Sequence, residues 1–436
     1  MANRKLSFWG MFNLSFGFFG VQTAYALQNN SNSRIFESLG ADPHNLSYFW
    51  ILPPLMGLIV QPIIGSMSDR TWNRFGRRIP YLLFGAILAV VVMFFFPYSG
   101  SIGFTSLVAA LWFGAICLMF LDTSLNIAMQ PFKMMVGDMV TEEQKTKAYS
   151  IQSLLCNAGS LIGYLFPFGL AAIGISNVAK NGEVADNVVY SFWICAAILI
   201  ACVIYTVLKV KEMPPKEYAE FHGIDPEKVE KDGKAEKTNA IKLLKSAPKT
   251  FWTVGLVQFF CWAAFMYMWI DGPGATVNLL SDSLSKGDAQ DWFGICLAVQ
   301  AVGSILWAMV LPRFKKIQTG YIVSLLIGAI GFASMIFIHN KYVLCGSYFL
   351  VGTAWAAMLA YPFTLLTNAL EGNPRMGSYL GLFNGTICFP QIVAGLLGGA
   401  VLWMVGGARE SVMMVSAGLL VVAACCVPLI NKKSTN

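Results

Sequence analysis

Charged residues are scarce in this sequence. Only 12% of its 436 residues are Asp, Glu, Lys or Arg, whereas an ordinary soluble domain has roughly 25%. Hydrophobic residues make up 56% of the chain, and they gather into runs of about 20 residues, the length that crosses the hydrocarbon core of a bilayer. The composition therefore excludes a soluble globular fold and predicts a protein that spans a lipid bilayer many times.

The residues of metal sites and catalytic centres are also scarce or badly placed. The three histidines, His44, His222 and His339, lie in connections or at the end of an apolar run. The ten cysteines fall in apolar segments without the spacing of a metal site. We find no nucleophile with a base in the apolar segments. We therefore expect no cofactor, no metal site, no disulfide framework and no enzymatic activity.

The apolar runs predict an all-α membrane protein with twelve transmembrane helices. Their approximate ranges are residues 6–28, 48–66, 79–97, 103–139, 146–174, 188–209, 250–278, 290–311, 318–338, 342–368, 376–404 and 410–430. One long polar connection, residues 209–249, contains ten lysines and eight acids and divides the spans six and six. Two six-helix halves with a site between them are typical of carriers built from repeats. The predicted domains are an N-terminal bundle (1–210), a cytoplasmic linker (211–249) and a C-terminal bundle (250–436).

The distribution of basic residues predicts the orientation of the chain, because cytoplasmic connections retain positive charge. With the N-terminus inside, alternate connections place 24 lysines and arginines on the cytoplasmic side and five on the other, with only Lys133 left over. We therefore expect both termini in the cytoplasm and the protein in the cell inner membrane. The net charge of +7 is explained by topology, so we expect no nucleic-acid partner. We expect a monomer.

The connection between the second and third spans, GSMSDRTWNRFGRRIP (65–80), has an ordered pattern of glycine, acid and arginine. This pattern resembles the signature loop of the major facilitator superfamily. Asp138 lies at the predicted cytoplasmic end of the fourth span and is expected to pair with the arginines of this loop. The residues that we assign to a conformational charge network are Asp69, Arg70, Arg77, Arg78 and Asp138.

The fourth span carries charges where its surroundings are almost free of them. Asn126 and Lys133 lie within about 40° of Asp122 around a helix with 100° per residue. An ionised carboxylate in the middle of a span costs roughly 2.5–3.5 kcal/mol. Two explanations of Asp122 are open. It carries a proton during transport, or it is a neutral buried acid that only stabilises the fold. Lys133 either lines a cytoplasmic vestibule and exchanges partners, or extends to the membrane interface.

Most other polar residues in the spans are uncharged amides, which donate and accept hydrogen bonds and suit a hydroxyl-rich neutral ligand. In the seventh span Gln258, Trp262, Phe265 and Trp269 share one helix face. The alternatives are interhelical hydrogen bonds for the amides and lipid contacts for the aromatics; Asp271 is either a gate residue or a helix cap. The candidate substrate-binding residues are Gln22, Tyr25, Gln28, Asn126, Asn157, Gln258, Trp262, Asp271, Asn384 and Gln391.

Several segments together resemble one family of carriers. GVQTAYALQ (20–28), FWILPPLMGLIVQPIIGSMSDR (49–70), LDTSLNIAMQPFKMMVGD (121–138) and GLFNGTICFPQ (381–391) are similar to the sucrose-transporter branch of the glycoside-pentoside-hexuronide:cation symporters, within the major facilitator superfamily. The resemblance implies proton-coupled import of a neutral disaccharide by alternating access, with Asp122 as proton acceptor and Lys133 in coupling. Bacterial carriers of this type imply maltose or maltooligosaccharides ahead of sucrose.

Two positions depart from that branch: Lys133 stands where its members have arginine, and Tyr25 where tryptophan is usual. These departures leave the coupling geometry and the sugar open. Sodium coupling and uncoupled transport are the nearest alternatives. A proton is favoured because the second span, 48–66, contains no acidic residue, whereas sodium-using relatives carry acids there. A sugar sensor is disfavoured because the sequence shows no appended soluble domain.

Overall fold

The computed structural model describes residues 5–100, 103, 106–180, 182–222, 240–370 and 376–430, and within them the regular structure is entirely helical. The helices of the first half are α1 (Phe8–Ser38), α2 (Pro43–Phe49), α3 (Leu52–Arg70), α4 (Ile79–Phe95), α5 (Leu107–Met139), α6 (Glu142–Ala172), α7 (Asp186–Lys209) and α8 (Pro215–His222). Those that follow are α9 (Ala240–Lys245), α10 (Lys249–Leu280), α11 (Lys286–Ala308), α12 (Ile317–Met335), α13 (Lys341–Ala369), α14 (Met376–Phe383), α15 (Gly385–Met404) and α16 (Arg409–Cys426). Short 3₁₀ turns occupy Phe96–Tyr98, Leu311–Arg313 and Val427–Leu429.

Eleven helical segments within the described residues are long and apolar enough to cross a membrane, against the twelve predicted spans. The difference is α1, which has 31 residues but carries seven consecutive polar residues from Gln28 to Arg34. The predicted end of this span at residue 28 is wrong, because the helix continues to Ser38 with the whole polar run buried inside the protein. The all-α membrane fold is confirmed.

Two further predicted spans are interrupted. The second span, 48–66, is preceded by the separate helix α2, whose first turn is capped by Asp42, with the backbone N–H of His44 donating to the carboxylate at 2.7 Å. The eleventh, 376–404, is divided at Asn384 between α14 and α15. Hydropathy does not register these breaks, because both segments stay apolar across them.

The chain forms two compact units that do not follow the order of the sequence. Unit 1 comprises Met1–Gln28, Met56–Phe166 and Val188–Lys237, and unit 2 comprises Asn29–Leu55, Pro167–Asn187 and Thr238–Asn436. Unit 2 therefore contains two segments of the first half, the end of α1 with α2 and the connection between α6 and α7. The predicted division at the linker follows chain connectivity and stays a prediction.

In unit 1, glycines allow the helices around α1 and α5 to approach closely. A Cβ added at Gly85 of α4 would meet the backbone of α5 at Ala128, and one at Gly163 of α6 would overlap the carbonyl of Thr23 on α1. Small residues at such crossings replace side-chain contacts by backbone contacts, as is common between membrane helices. These close crossings pack α4 against the middle of α5 and α6 against α1.

In unit 2, glycines likewise allow α2 to pack closely against α15. A Cβ at Gly398 would meet the side chain of Ser47, and one at Gly399 would overlap the carbonyl of His44. Elsewhere in this unit, Gly352 of α13 lies against the backbone of α11. The segment from the first half of the chain is thus closely packed within unit 2.

Candidate functional site

Asp122 lies in the middle of α5 in unit 1 with its side chain fully buried. Gln28 Nε2 of α1 donates a hydrogen bond to Asp122 Oδ2 at 2.9 Å. Asp122 Oδ1 and Gln28 Oε1 are buried and have no hydrogen-bond partner in the described part of the chain, and no ion pair to Asp122 is found there either. A dry carboxylate with a single neutral partner is costly in its ionised form. The structure thus brings together two of the predicted site residues, Asp122 and Gln28.

Asn126 follows one turn later and is already hydrogen-bonded on both sides of its amide. Its Nδ2 donates to the backbone carbonyl of Asp122 at 2.8 Å, and its Oδ1 accepts from Gln61 Nε2 of α3 at 2.7 Å. Gln61 was not among the predicted site residues. Its amide, in the apolar run LPPLMGLIVQPIIG (52–65), was the available signal. A substrate hydroxyl would reach Asn126 Oδ1 only by sharing it with Gln61 or displacing it.

Two of the remaining candidates of unit 1 approach the same residue of α6. Gln22 hydrogen-bonds to the thiol of Cys156, and Lys133 is close enough to interact with it electrostatically. Tyr25 is half-buried on α1. The amide of Asn157 donates to the carbonyl of Ser153 on its own helix at 2.8 Å. Gln22 and Lys133 therefore both lie close to Cys156, and no pattern in the sequence indicated this.

Asp138 pairs with the arginines of the loop before α4. Arg77 Nη2 lies 2.9 Å from Asp138 Oδ1, and Arg78 Nε lies 2.9 Å from Asp138 Oδ2. The side chains of Asp69 and Arg70, the other members of the predicted network, lie outside the described part of the structure. Charge-assisted hydrogen bonds of this kind are stronger than neutral ones, so Asp138 holds the end of α5 to this loop.

Glu212, just after α7, completes this arrangement and was missed by sequence analysis. Its carboxylate accepts the backbone N–H groups of Arg77, Arg78 and Ile79 at 2.6–3.0 Å. These groups open α4, whose first turn leaves N–H groups without intrahelical partners. Burial raises the pKa of Glu212, the backbone donors oppose that shift, and Asp138 adds to it. We call these four side chains, Arg77, Arg78, Asp138 and Glu212, the Asp138 cluster.

Unit 2 contains a cluster of large aromatic side chains. Trp355 of α13 lies 5.5 Å from Trp262, 4.9 Å from Phe265 and 5.7 Å from Trp269 between ring centroids. Trp50, which follows α2, stacks on Trp269 at 6.4 Å. Trp355 is half-buried, whereas the other rings are buried. Trp262, Phe265 and Trp269 therefore share one face of α10, as predicted. Trp50 and Trp355, which sequence analysis did not select, enlarge this aromatic surface. We call the four tryptophans the tryptophan wall.

Several polar groups on α10 are buried without a hydrogen-bond partner among the described residues. They are both amide atoms of Gln258, Nε1 of Trp262 and Oδ1 of Asp271. Gln258 is 0% exposed and Asp271 is 1% exposed. Buried polar groups are nearly always hydrogen-bonded in native proteins, so these exceptions identify groups that are available to a polar ligand.

An ion pair in the described part of unit 2, more buried than the pair of Arg409 with Glu37, was also missed. Arg34 Nη1 of α1 lies 2.5 Å from Asp291 Oδ1 of α11, and the two side chains are 7% and 2% exposed. Asn187 Nδ2 donates to both carboxylate oxygens of Asp291, and Asn177 Nδ2 donates to one of them at 3.0 Å. We call these four residues the Asp291 cluster. In the sequence, Arg34 is one of five basic residues on the predicted non-cytoplasmic side of the membrane, and no pattern indicates its buried partner.

A second pair, Arg409 with Glu37, also joins α1 to the later helices of unit 2. Arg409 passes α10 at Gly274, where an added Cβ would overlap its guanidinium. The glycine in the sequence DGPG (271–274) therefore leaves space for an arginine, a role that the sequence did not indicate. The carboxyl group of Asp271 lies close enough to Arg409 for the two groups to interact electrostatically.

The last two predicted binding residues lie in and before α15. Asn384 Nδ2 donates to Cys388 Sγ at 3.7 Å, and Gln391 is half-buried. Their contact with a substrate stays a prediction. Among the residues that the structure describes, no three His, Cys, Asp or Glu side chains come together as a metal site.

Comparison with known proteins gives a consistent picture. The sequence profile of the family described as "MFS/sugar transport protein" matches residues 35–408. The sucrose transport protein SUT1 of Oryza sativa subsp. japonica is 23% identical over 437 residues, covering 86% of this chain and 79% of the relative. The general alpha-glucoside permease of Schizosaccharomyces pombe is 27% identical over 164 residues, covering 36% and 29%.

Solved structures of transporters share the fold. A D-xylose-proton symporter superposes with a TM-score of 0.72 at 16% identity, covering 98% of this chain and 99% of the other. The nucleoside transporter NupG superposes with a TM-score of 0.70 at 14% identity, covering 97% and 99%. Carriers of different substrates thus share this helical architecture.

Proposed function

Because the chain belongs to the MFS/sugar transport protein family, we propose that it is a proton-coupled symporter that imports a neutral disaccharide or α-glucoside by alternating access. As a sugar transporter of this family it is a multi-pass membrane carrier and not an enzyme. Maltose or a maltooligosaccharide is the favoured substrate, followed by sucrose. The names of the sucrose and α-glucoside carriers among its relatives support this substrate class. We place the protein in the inner membrane of the cell with both termini in the cytoplasm.

The observation that carries the proposal is the environment of Asp122. Its carboxyl is fully buried, with Gln28 as its hydrogen-bond partner. A carboxyl in such a place is accommodated when it carries a proton, and it releases the proton when water or a cation reaches it. Alternating access supplies these two environments in turn. One proton that crosses about 100 mV contributes about 2.3 kcal/mol to sugar accumulation.

Within each unit by itself, the polar and aromatic groups support a neutral sugar as substrate. The amides of Gln22 and Gln258 donate and accept hydrogen bonds, as sugar hydroxyls do. The ring faces of Trp262 and Trp355 offer apolar surface to the C–H groups of a pyranose. Lys133 has a single compact charge, so it acts in coupling by attracting or releasing an acid and not by a bidentate grip.

Uptake into membrane vesicles with an imposed pH gradient tests the proposal. The parent is expected to accumulate radiolabelled maltose, and sucrose more weakly. Asp122→Asn keeps the shape of the side chain but cannot titrate, so it is expected to exchange sugar across the membrane without accumulating it. Asp282→Asn, at an exposed carboxyl, is the matched control and is expected to behave as the parent. Full gradient-driven uptake by Asp122→Asn would give Asp122 a purely structural role.

Sodium coupling and uncoupled transport are tested in the same vesicles. Proton symport is expected to make the outer medium more alkaline when sugar is added in sodium-free buffer. Uptake that requires sodium would contradict proton coupling, and uptake that only equilibrates the sugar would indicate facilitated diffusion.

A further inference from the structure

Asn32 is the least satisfied member of the buried polar run of α1. Its side chain is 1% exposed, and neither Nδ2 nor Oδ1 has a hydrogen-bond partner in the described part of the chain. Its neighbour Ser33 hydrogen-bonds to α10, and Arg34 pairs with Asp291. The residues of this run therefore differ in role. Ser33 and Arg34 bind other helices, whereas the amide of Asn32 is able to bind a ligand.

The helix backbone beside Asn32 is held in place by its neighbour Ser33. Ser33 Oγ contacts the backbone carbonyls of Trp269 and Ile270 at 3.2 and 2.9 Å, and it accepts a hydrogen bond from Trp50 Nε1 at 2.9 Å. Trp50 and Trp269 belong to the tryptophan wall. This turn of α1 is thus attached to the wall within unit 2, and Asn32 is the next residue along the helix.

An unpaired primary amide destabilises a buried site, because it has lost its hydrogen bonds to water without replacing them. Other buried groups of unit 2 also lack a hydrogen-bond partner in the described part of the chain, among them the amide of Gln258, Nε1 of Trp262 and Oδ1 of Asp271. Together they offer donors and acceptors in a unit that also presents aromatic faces. Hydroxyl groups both donate and accept, so a saccharide has the chemistry that these groups lack.

We infer that Asn32 recognises hydroxyl groups of the transported saccharide and helps to determine which sugar is bound. This inference rests on the proposed function. The neighbouring donor and acceptor of one amide match two adjacent hydroxyls of a pyranose, one accepting and one donating. Asn32 thereby adds the end of α1 to the residues of unit 2 that select the substrate.

The variant Asn32→Leu tests the inference, because leucine has a similar size and removes only the hydrogen-bonding groups. The KM for maltose is expected to rise about tenfold or more, as for the loss of about one to two hydrogen bonds, while the maximal rate changes little. In detergent without sugar, the melting temperature of Asn32→Leu is expected to equal or exceed that of the parent. The rise in melting temperature on adding maltose is expected to shrink. Asn32→Ser, which keeps one hydroxyl, is expected to lie between the two.

Thr23→Val is the matched control. Thr23 is buried on the same helix, but its hydroxyl is bonded to the carbonyl of Phe19 on that helix. Its replacement is expected to leave the KM and the stabilisation by maltose unchanged.

An unchanged KM and an unchanged stabilisation by maltose in both Asn32 variants would overturn the inference while leaving the carrier function intact. A lower melting temperature of Asn32→Leu without sugar, with sugar binding retained, would also overturn it, since the amide would then serve the fold. If the parent itself neither takes up nor is stabilised by maltose or sucrose, the proposed function fails, and the inference fails with it.

Discussion

The Asp138 cluster of unit 1 and the Asp291 cluster of unit 2 use the same chemistry in different settings. Asp138 has two arginine partners and its side chain is 18% exposed. Asp291 has one arginine partner, two amide donors and 2% exposure. The first cluster keeps access to water. Arg34 of the second cluster is buried, and its partners besides Asp291 are neutral, the carbonyl of Asn177 and Oδ1 of Asn187. Because an unpaired charge costs more where water cannot reach it, the fold should depend more on the buried pair than on the partly exposed one.

Removing Asp291 is expected to give the largest effect. Asp291→Ala leaves the Arg34 charge buried without its acid, which typically costs about 3–5 kcal/mol of stability. Thermal unfolding of the purified protein in detergent measures the loss, with Asp282→Asn as the exposed control. A loss below about 1 kcal/mol would show that water replaces the carboxylate, as at an exposed ion pair.

Replacing both charges of the pair separates the cost of an unpaired charge from the cost of lost packing. Arg34→Met combined with Asp291→Leu removes the pair without leaving either charge alone, and such exchanges are often neutral or stabilising. The double variant is therefore expected to be more stable than Asp291→Ala, as measured by the same unfolding experiment. Equal destabilisation of the two would locate the cost in packing and not in the unpaired charge.

Removing Asp138 is expected to have a smaller effect. Asp138→Ala deprives two arginines of one acceptor, and bonds to charged groups contribute about 1.5–3 kcal/mol each at most. Arg77 keeps its contact with the ring of Tyr218, and Arg78 keeps its hydrogen bond to Ser68. We expect a loss of about 1–3 kcal/mol in thermal unfolding. A loss larger than that of Asp291→Ala would reverse the comparison.

The smallest effect is expected from the titration of Glu212. Because burial raises its pKa above the ordinary value of 4.5, the folded protein binds this proton more tightly than the unfolded chain does. Its contribution to stability is therefore greatest at acid pH and falls as the pH rises from about 4.5 towards the raised pKa. Glu212→Gln is expected to flatten this part of the melting-temperature profile. An unchanged profile would mean that the backbone donors cancel the effect of burial.

The sequence predicted the features that depend on neighbours along one helix. The apolar runs located the spans, 100° per residue placed Asn126 beside Asp122, and the face of α10 with Trp262 and Trp269 was recognised. It failed for the first span, which it predicts to end at residue 28, whereas α1 continues through the polar residues to Ser38. Polar residues can lie inside a membrane protein when other helices cover them, and the pattern of a single helix does not contain that information.

Partners remote in sequence could not be predicted. Arg34 and Asp291 are 257 positions apart, and Glu212 meets Arg77 across 135 positions. A basic residue near the end of a span looks the same in the sequence whether it reaches water or a buried acid. The count of charges on each side of the membrane therefore treated Arg34 and Arg409 as topological signals alone.

The sequence by itself determined that this chain spans a membrane with helices and that Asp122 is an exceptional charge among apolar residues. Hydrophobicity and helical period act on each residue through its solvent and its nearest neighbours, and both are written along the chain. Only the tertiary structure decided that Gln28 is the partner of Asp122, that Arg34 is neutralised by Asp291 and that Asn32 is left unpaired. These outcomes depend on which helices meet, because a buried polar group gains or loses free energy according to the partner that packing brings to it.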